Sequence, residues 1–216
     1  AKIGARLDDI QYTVSTGYGR ETIQSEGIAQ ENVSEISCHG LGAYTIDNSV
    51  RTIIDIGGQD AKVIKVDSSG NLVDFVMNDK CAAGTGHFLE VMSRTLGVTL
   101  DELGRMSLKV KKAAQMSTRC TIYVETEVIH YLQRGVPHTE VAAGINRAMA
   151  ERVLALARRV TPQREVMLTG GVAKNAAVRE ELQKLLDMKL VPSPLDPQLM
   201  GAYGAAVFAR QMGGGA

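Results

Sequence analysis

The run Ile53-Ile54-Asp55-Ile56-Gly57-Gly58-Gln59-Asp60-Ala61-Lys62 is an apolar strand that ends in a carboxylate, breaks at paired glycines and restarts as a second strand. A Gly-Gly turn of this kind exposes backbone N–H groups, and a concave row of amides cradles phosphate oxygens. Gly57 and Gly58 form that turn, Asp55 stands where it can position Mg²⁺ or its water shell, and Gln59 or Asp60 can orient an attacking water. An ordinary hairpin with Asp at its turn uses the same residues, so the motif alone leaves both readings open.

Outward from this run, alternating or β-branched stretches predict strands at 12–16, 52–56, 61–66, 72–77, 165–169 and 189–191. Ser68-Ser69-Gly70-Asn71 lies between two of them and predicts a hairpin, so the sheet has antiparallel neighbours and is not a plain dinucleotide-binding repeat. Apolar residues at three- and four-residue spacing predict helices over 31–44, 86–96, 100–106, 121–134, 139–159, 175–186 and 201–212. The fold class is α/β, with no tandem repeat, and the glycines at 213–215 read as a frayed tail.

Composition narrows the function classes. The chain has 216 residues, zero formal net charge and 44% hydrophobic residues, with a pI of about 7.1. One or two globular domains fit that length. Neutrality argues against nucleic acid, and the lack of an apolar run near eighteen residues argues against a membrane span. No start resembling a signal peptide is present, and three cysteines are too few and too odd for a disulfide framework. A cytoplasmic enzyme or subunit with reduced thiols is the expectation, and those thiols are of interest as ligands or nucleophiles.

Two more glycine turns follow. Val166-Met167-Leu168-Thr169-Gly170-Gly171-Val172-Ala173-Lys174-Asn175 is again a strand breaking at paired glycines before a helix, where backbone can approach a ligand closely. Gly201-Ala202-Tyr203-Gly204-Ala205-Ala206 starts the last helix. Between them and the first motif lies Asn78-Asp79-Lys80-Cys81-Ala82-Ala83-Gly84-Thr85-Gly86, a cysteine on a glycine-rich turn ahead of a helix.

Taken in order, these motifs resemble the ATP-dependent activators of 2-hydroxyacyl-CoA dehydratases and the ATP-binding subunits of benzoyl-CoA reductase. Those proteins share the actin, Hsp70 and acetate kinase fold, and the likeness runs from about Ser15-Thr16-Gly17-Tyr18-Gly19-Arg20 to Ala209. The resemblance implies that Asp55 to Lys62 is the second phosphate loop. It implies that Gly170, Gly171 and Asn175 lie against adenosine, and that Gln198 with the helix start at Gly201 and Gly204 closes over ATP or ADP. The family opens with a first phosphate hairpin that has no counterpart here, so an incomplete N-terminal lobe is expected. The division expected is 1–50 for the remainder of that lobe, 51–195 for the second lobe and 196–216 for a C-terminal helix and tail.

Cys81 and Cys120 stand 38 residues apart with no Cys-x-x-Cys pair, so spacing specifies neither a zinc ribbon nor a ferredoxin-type site. One chain supplies too few thiolates for a four-cysteine site unless Cys38 and another group join; two chains supply four. The resemblance implies this second arrangement, a 4Fe–4S cluster shared across a homodimer or pseudo-symmetric heterodimer, with Cys81 and Cys120 as the metal ligands. Both precede predicted helices, whose N-termini would offset thiolate charge. The resemblance further implies a CoA-thioester dehydratase or reductase as partner and a ferredoxin or flavodoxin as donor. Cys38 reads as a buried apolar residue; His39 can carry a proton or lie near nucleotide, but a packed or solvent-facing place is the expectation for it as for His87, His130 and His138, and Glu125 and Glu127 can form an acidic pair, with a solvated or salt-bridged face expected. Two other classes stay open, an iron-free metabolite kinase of the same superfold and an assembly subunit or fragment that does not turn over nucleotide.

Overall fold

The computed structural model describes residues 6, 9–118 and 120–214. Its centre is a five-stranded mixed sheet built around β3 (Thr52–Ile56), every residue of which is buried. β-branched residues with no charge except Asp55 suit a strand covered on both faces. β3 pairs antiparallel with β4 (Ala61–Val66), which pairs antiparallel with β5 (Leu72–Asn78). On its other side β3 runs parallel to β6 (Val166–Thr169), and β6 to β7 (Leu190–Val191). The predicted hairpin between β4 and β5 is present: the Asp67 carboxylate accepts from the Ser69 and Asn71 amides at 2.8 and 2.9 Å.

Strand alternation sends two sets of side chains to opposite faces. Ile53, Ile64, Val66 and Met167 pack beneath α2 (Glu35–Ile46) and α8 (Met200–Gly213). Ile54, Ile56, Val63 and Leu168 face the larger layer, in which the long α6 (His138–Ala157) packs with α3 (Gly86–Leu96), α4 (Leu100–Ser107), α5 (Thr121–Gln133) and α7 (Ala176–Leu186). α4 opens on a complete capping box, Thr99 with Glu102.

α2 and α8 approach closely because glycine lines the crossing. A Cβ on Gly204 would sit 1.8 Å from the Cys38 carbonyl oxygen, and one on Gly42 would sit 2.9 Å from that of Met200. Cys38 is fully buried, as expected, and burial pushes its thiol pKa up.

The N-terminal segment differs from the expected strand and helix. β1 (Val14–Ser15) runs parallel to β2 (Glu31–Asn32) around α1 (Arg20–Ser25), which periodicity did not reveal. Residues 31–32 are therefore strand, not the first turn of a helix. The helix begins at Glu35 because the Ser34 hydroxyl accepts from the Ser37 amide, satisfying a donor the helix cannot use.

Candidate functional site: a nucleotide cleft joined to a cysteine pair

Register places three polar side chains in a row on the α2 side of the sheet. Lys62 on β4 stands opposite Asp55 on β3, and Asp55 opposite Thr169 on β6. Asp55 is 3% exposed and accepts from Thr169 Oγ1 at 2.7 Å. The Lys62 ammonium is also buried, 2.9 Å from Asp60, 3.3 Å from Glu35 and 3.6 Å from Asp55. Burial acts to lower the Lys62 pKa, but the Asp60 hydrogen bond with the Asp55 and Glu35 charges wins and raises it.

α2 adds Glu35 and His39 one turn apart. The imidazole lies 3.6 Å from Glu35 Oε1 and 3.4 Å from Asp55 Oδ1. His39 and then Lys62 hold the Glu35 carboxyl down to about 2, against the opposing effect of burial. Glu35, His39 and Asp55 offer ligand atoms within 4.8 Å of one another. Two carboxylates at the edge of a cleft suit a hard, hydrated cation of the Mg²⁺ type.

This cluster floors a cleft of about 700 Å³. Its lining includes Asp55, Gly57, Gly58, Gly170, Gly171, Asn175 and Gln198, all predicted, together with Glu35 and His39. Gly170 has φ +84°, and a Cβ there would lie 2.3 Å from the Ile56 carbonyl oxygen, so only glycine lets the β6 turn cross β3. Gly171 lies against Gln198, whose amide oxygen accepts from Lys174 at 2.6 Å. Asn175 caps α7 through Oδ1 and donates to the fully buried Asn146 at 2.8 Å. A cleft of this volume, with glycine backbone on two sides and a charged floor, fits a nucleotide phosphate chain.

The remaining predicted residues sit elsewhere. Lys62 and Asp60 lie behind the lining, and Gln59 is exposed on the turn. Gly201 and Gly204 do not line the cleft: Gly204 receives α2, and a Cβ on Gly201 would approach His39 Nε2 to 3.0 Å. Sequence reasoning missed Glu35 and the α4 wall of Asp101, Gly104, Arg105 and Leu108. The four-residue spacing of Glu35 and His39 was an available signal; nothing local marks α4. His39, for which a place near nucleotide was the alternative to a packed or solvent-facing one, is buried at the charged floor.

The cysteine segments lie outside the cleft lining, Cys81 ahead of α3 and Cys120 ahead of α5. Asn78 holds the Cys81 turn by donating to the Cys81 and Ala83 carbonyls at 2.8 and 3.2 Å, and Gly84 completes it with φ +96°. Cys120 is the N-cap of α5, so that helix starts at the thiol as expected. α3 does not: its first amides, Gly86 and His87, donate at 2.8 Å to the carbonyls of Gly57 and Gly58. The N-terminus expected to serve Cys81 is thus occupied by the Gly57–Gly58 turn, which ties that turn to the segment carrying Cys81. Cys81 is half-buried, Cys120 exposed, and both thiols are free, a donor set suited to soft-metal ligation with further sulfur from outside the chain.

The fold is thus a mixed sheet of strand order β5-β4-β3-β6-β7 with helices on both faces and a glycine-lined cleft, an α/β lobe of the nucleotide-binding kind. The chain belongs to the BadF/BadG/BcrA/BcrD ATPase family, whose pattern matches residues 1–209. It is 46% identical to the activator of lactoyl-CoA dehydratase of Anaerotignum propionicum over 208 residues, 96% of this chain and 79% of that protein. A benzoyl-CoA reductase subunit of Thauera aromatica is 29% identical over 95% of this chain and 73% of its own length.

Among solved structures, the Acidaminococcus fermentans (R)-2-hydroxyglutaryl-CoA dehydratase component A superposes with TM-score 0.92 at 45% identity, covering 97% of this chain and 79% of that one. The Clostridium difficile 2-hydroxyisocaproyl-CoA dehydratase activator with bound ADPNP gives 0.91 at 42% identity, covering 99% and 78%. The ethanolamine utilization protein EutJ of Carboxydothermus hydrogenoformans, at 16% identity and TM-score 0.52 over 87% of this chain and 59% of its own, shares the fold alone.

Proposed function

We propose that this protein is an ATP-driven electron-transfer activator of a 2-hydroxyacyl-CoA dehydratase, with a 4Fe–4S cluster held between two chains by Cys81 and Cys120 of each. The observation that carries the proposal is the pair of bonds from the α3 N-terminus to Gly57 and Gly58. Any shift of the phosphate turn is transmitted through them to the helix behind Cys81. The names of the similar activators support the dehydratase as partner.

In this scheme Gly57, Gly58 and Gly171 present backbone to the phosphates, Asp55 and Glu35 hold Mg²⁺ through its water shell, and Asn175 with Gly104 bounds the adenosine side. Lys62 holds the Asp55 and Asp60 side chains in place through its contacts at 3.6 and 2.9 Å, and Asp60 or Gln59 orients the attacking water. When bound, the cluster supplies a one-electron carrier that a ferredoxin or flavodoxin refills. Nucleotide closure moves the α3 start, and with it the Cys81 turn.

Anaerobic reconstitution tests this. The wild type should bind about two irons per chain, as a four-iron cluster shared by two chains requires. Cys81→Ser and Cys120→Ser should each lose most of that iron, and loaded protein should activate a purified 2-hydroxyacyl-CoA dehydratase only with Mg-ATP. Unchanged iron in both variants would end the cluster assignment, and activation without ATP would end the coupling.

A further inference from the structure

Arg152 lies half-buried on α6, in the layer that carries both cysteine segments. Its Nη2 donates to Cys81 Sγ at 3.4 Å, and its Nη1 donates to the Thr118 carbonyl, two residues ahead of Cys120. One planar cation therefore ties together two loops that share no hydrogen-bonded strand or helix. The Arg152 stem also packs under the Cys81 turn, with its Cβ 3.5 Å from where a Cβ on Gly84 would be. Among the described residues Arg152 takes part in no carboxylate ion pair, although Arg20, Arg105 and Arg147 do. A partly desolvated guanidinium is costly unless its N–H groups find partners, and here the Cys81 sulfur and the Thr118 carbonyl take two of them.

We infer that Arg152 is a positioning residue for the cysteine site: its fork sets the Cys81 and Cys120 segments in the relative placement that joint ligation needs, and its charge beside sulfur raises the site's reduction potential. This rests on the assignment of Cys81 and Cys120 as ligands. A cation next to a ligand sulfur favours the more electron-rich state, so neutralising it moves the potential to more negative values. Lysine keeps the charge but is a point donor that cannot reproduce a rigid two-acceptor fork. Charge and bridging are thereby separable in one pair of variants.

The test compares anaerobically loaded wild type, Arg152→Gln and Arg152→Lys by iron per chain and by midpoint potential. Arg152→Gln should bind less iron, and its residual cluster should titrate more negative by on the order of tenfold in the one-electron equilibrium, about 59 mV. Arg152→Lys should also lose iron while keeping a potential near wild type. A potential in Arg152→Gln equal to wild type overturns the inference, as does full iron in Arg152→Lys. Should Arg152→Gln fail to fold by circular dichroism, the iron content of Arg152→Lys decides alone. Wild type that binds no iron overturns this inference together with the ligand assignment; loaded wild type with insensitive variants overturns only this one.

Discussion

Replacing Glu35 by glutamine removes one charge from the floor of the cleft and keeps the side chain's size. The carboxyl is held at about 2 against an ordinary 4.5. At about 1.4 kcal/mol per pK unit, that gap sets an upper figure of about 3 kcal/mol for the ionised form's contribution to folding. The His39 and Lys62 contacts are long, 3.6 and 3.3 Å, and 30% of the side chain reaches solvent. The expected contribution is therefore about 1–3 kcal/mol. Because the folded-state pKa is depressed, the contribution is present above pH 4.5 and is lost as the pH falls from there towards 2. Urea unfolding of wild type and Glu35→Gln at pH 7, 5, 4 and 3 should show a gap of that size at neutral pH that closes on acidification. At pH 7 the melting temperature should fall by roughly 2–10 °C for a chain of this length. A gap independent of pH, or a variant more stable than wild type at pH 7, would mean that the Glu35 charge does not stabilise the floor of the cleft.

Three further outcomes follow from the same geometry. Gly204→Ala should destabilise by about 2 kcal/mol or more, seen as a lower melting temperature. The usual helix gain of alanine over glycine, about 0.5–1 kcal/mol, cannot offset a Cβ placed 1.8 Å from the Cys38 carbonyl oxygen. Lys62→Met leaves Asp55, Asp60 and Glu35 without their shared cation and should cost about 3–5 kcal/mol at pH 7, with loss of Mg-nucleotide binding by calorimetry. The cost comes from leaving buried carboxylates uncompensated once the ammonium is removed. Asn146→Leu strands the Asn175 amide, which donates to it, and removes bonds to Leu103, Ser107 and Ala142. Chemical denaturation should show a loss of about 1–3 kcal/mol, and nucleotide affinity should fall as the α4 wall moves away from Asn175.

The α3 bonds join the Gly57–Gly58 turn directly to the helix that follows the Cys81 turn. Gly86 has no room for a side chain, since a Cβ would lie 3.1 Å from the Gly57 carbonyl oxygen and 3.2 Å from the Gly58 Cα. The start of α3, which follows the Cys81 turn, is thus in backbone contact with the Gly57–Gly58 turn, and under the proposed function coupling through it requires no long relay of side chains.

Residues close in sequence carried their own local chemistry. The paired glycines at 57–58 and 170–171, the β4–β5 hairpin and the helices beginning at residues 86, 100 and 121 were legible because turn conformation, capping and periodicity are set within a few neighbours. The row from Lys62 through Asp55 to Thr169 was not, because it depends on the register of β3 against β6, strands more than a hundred residues apart. Gly201 and Gly204 face α2, and a glycine that admits a phosphate and one that admits a helix read alike in one dimension. Glu35, the α4 wall and Arg152 took their roles from packing, in which side chains distant along the chain are desolvated together and must satisfy one another's charge and hydrogen bonds.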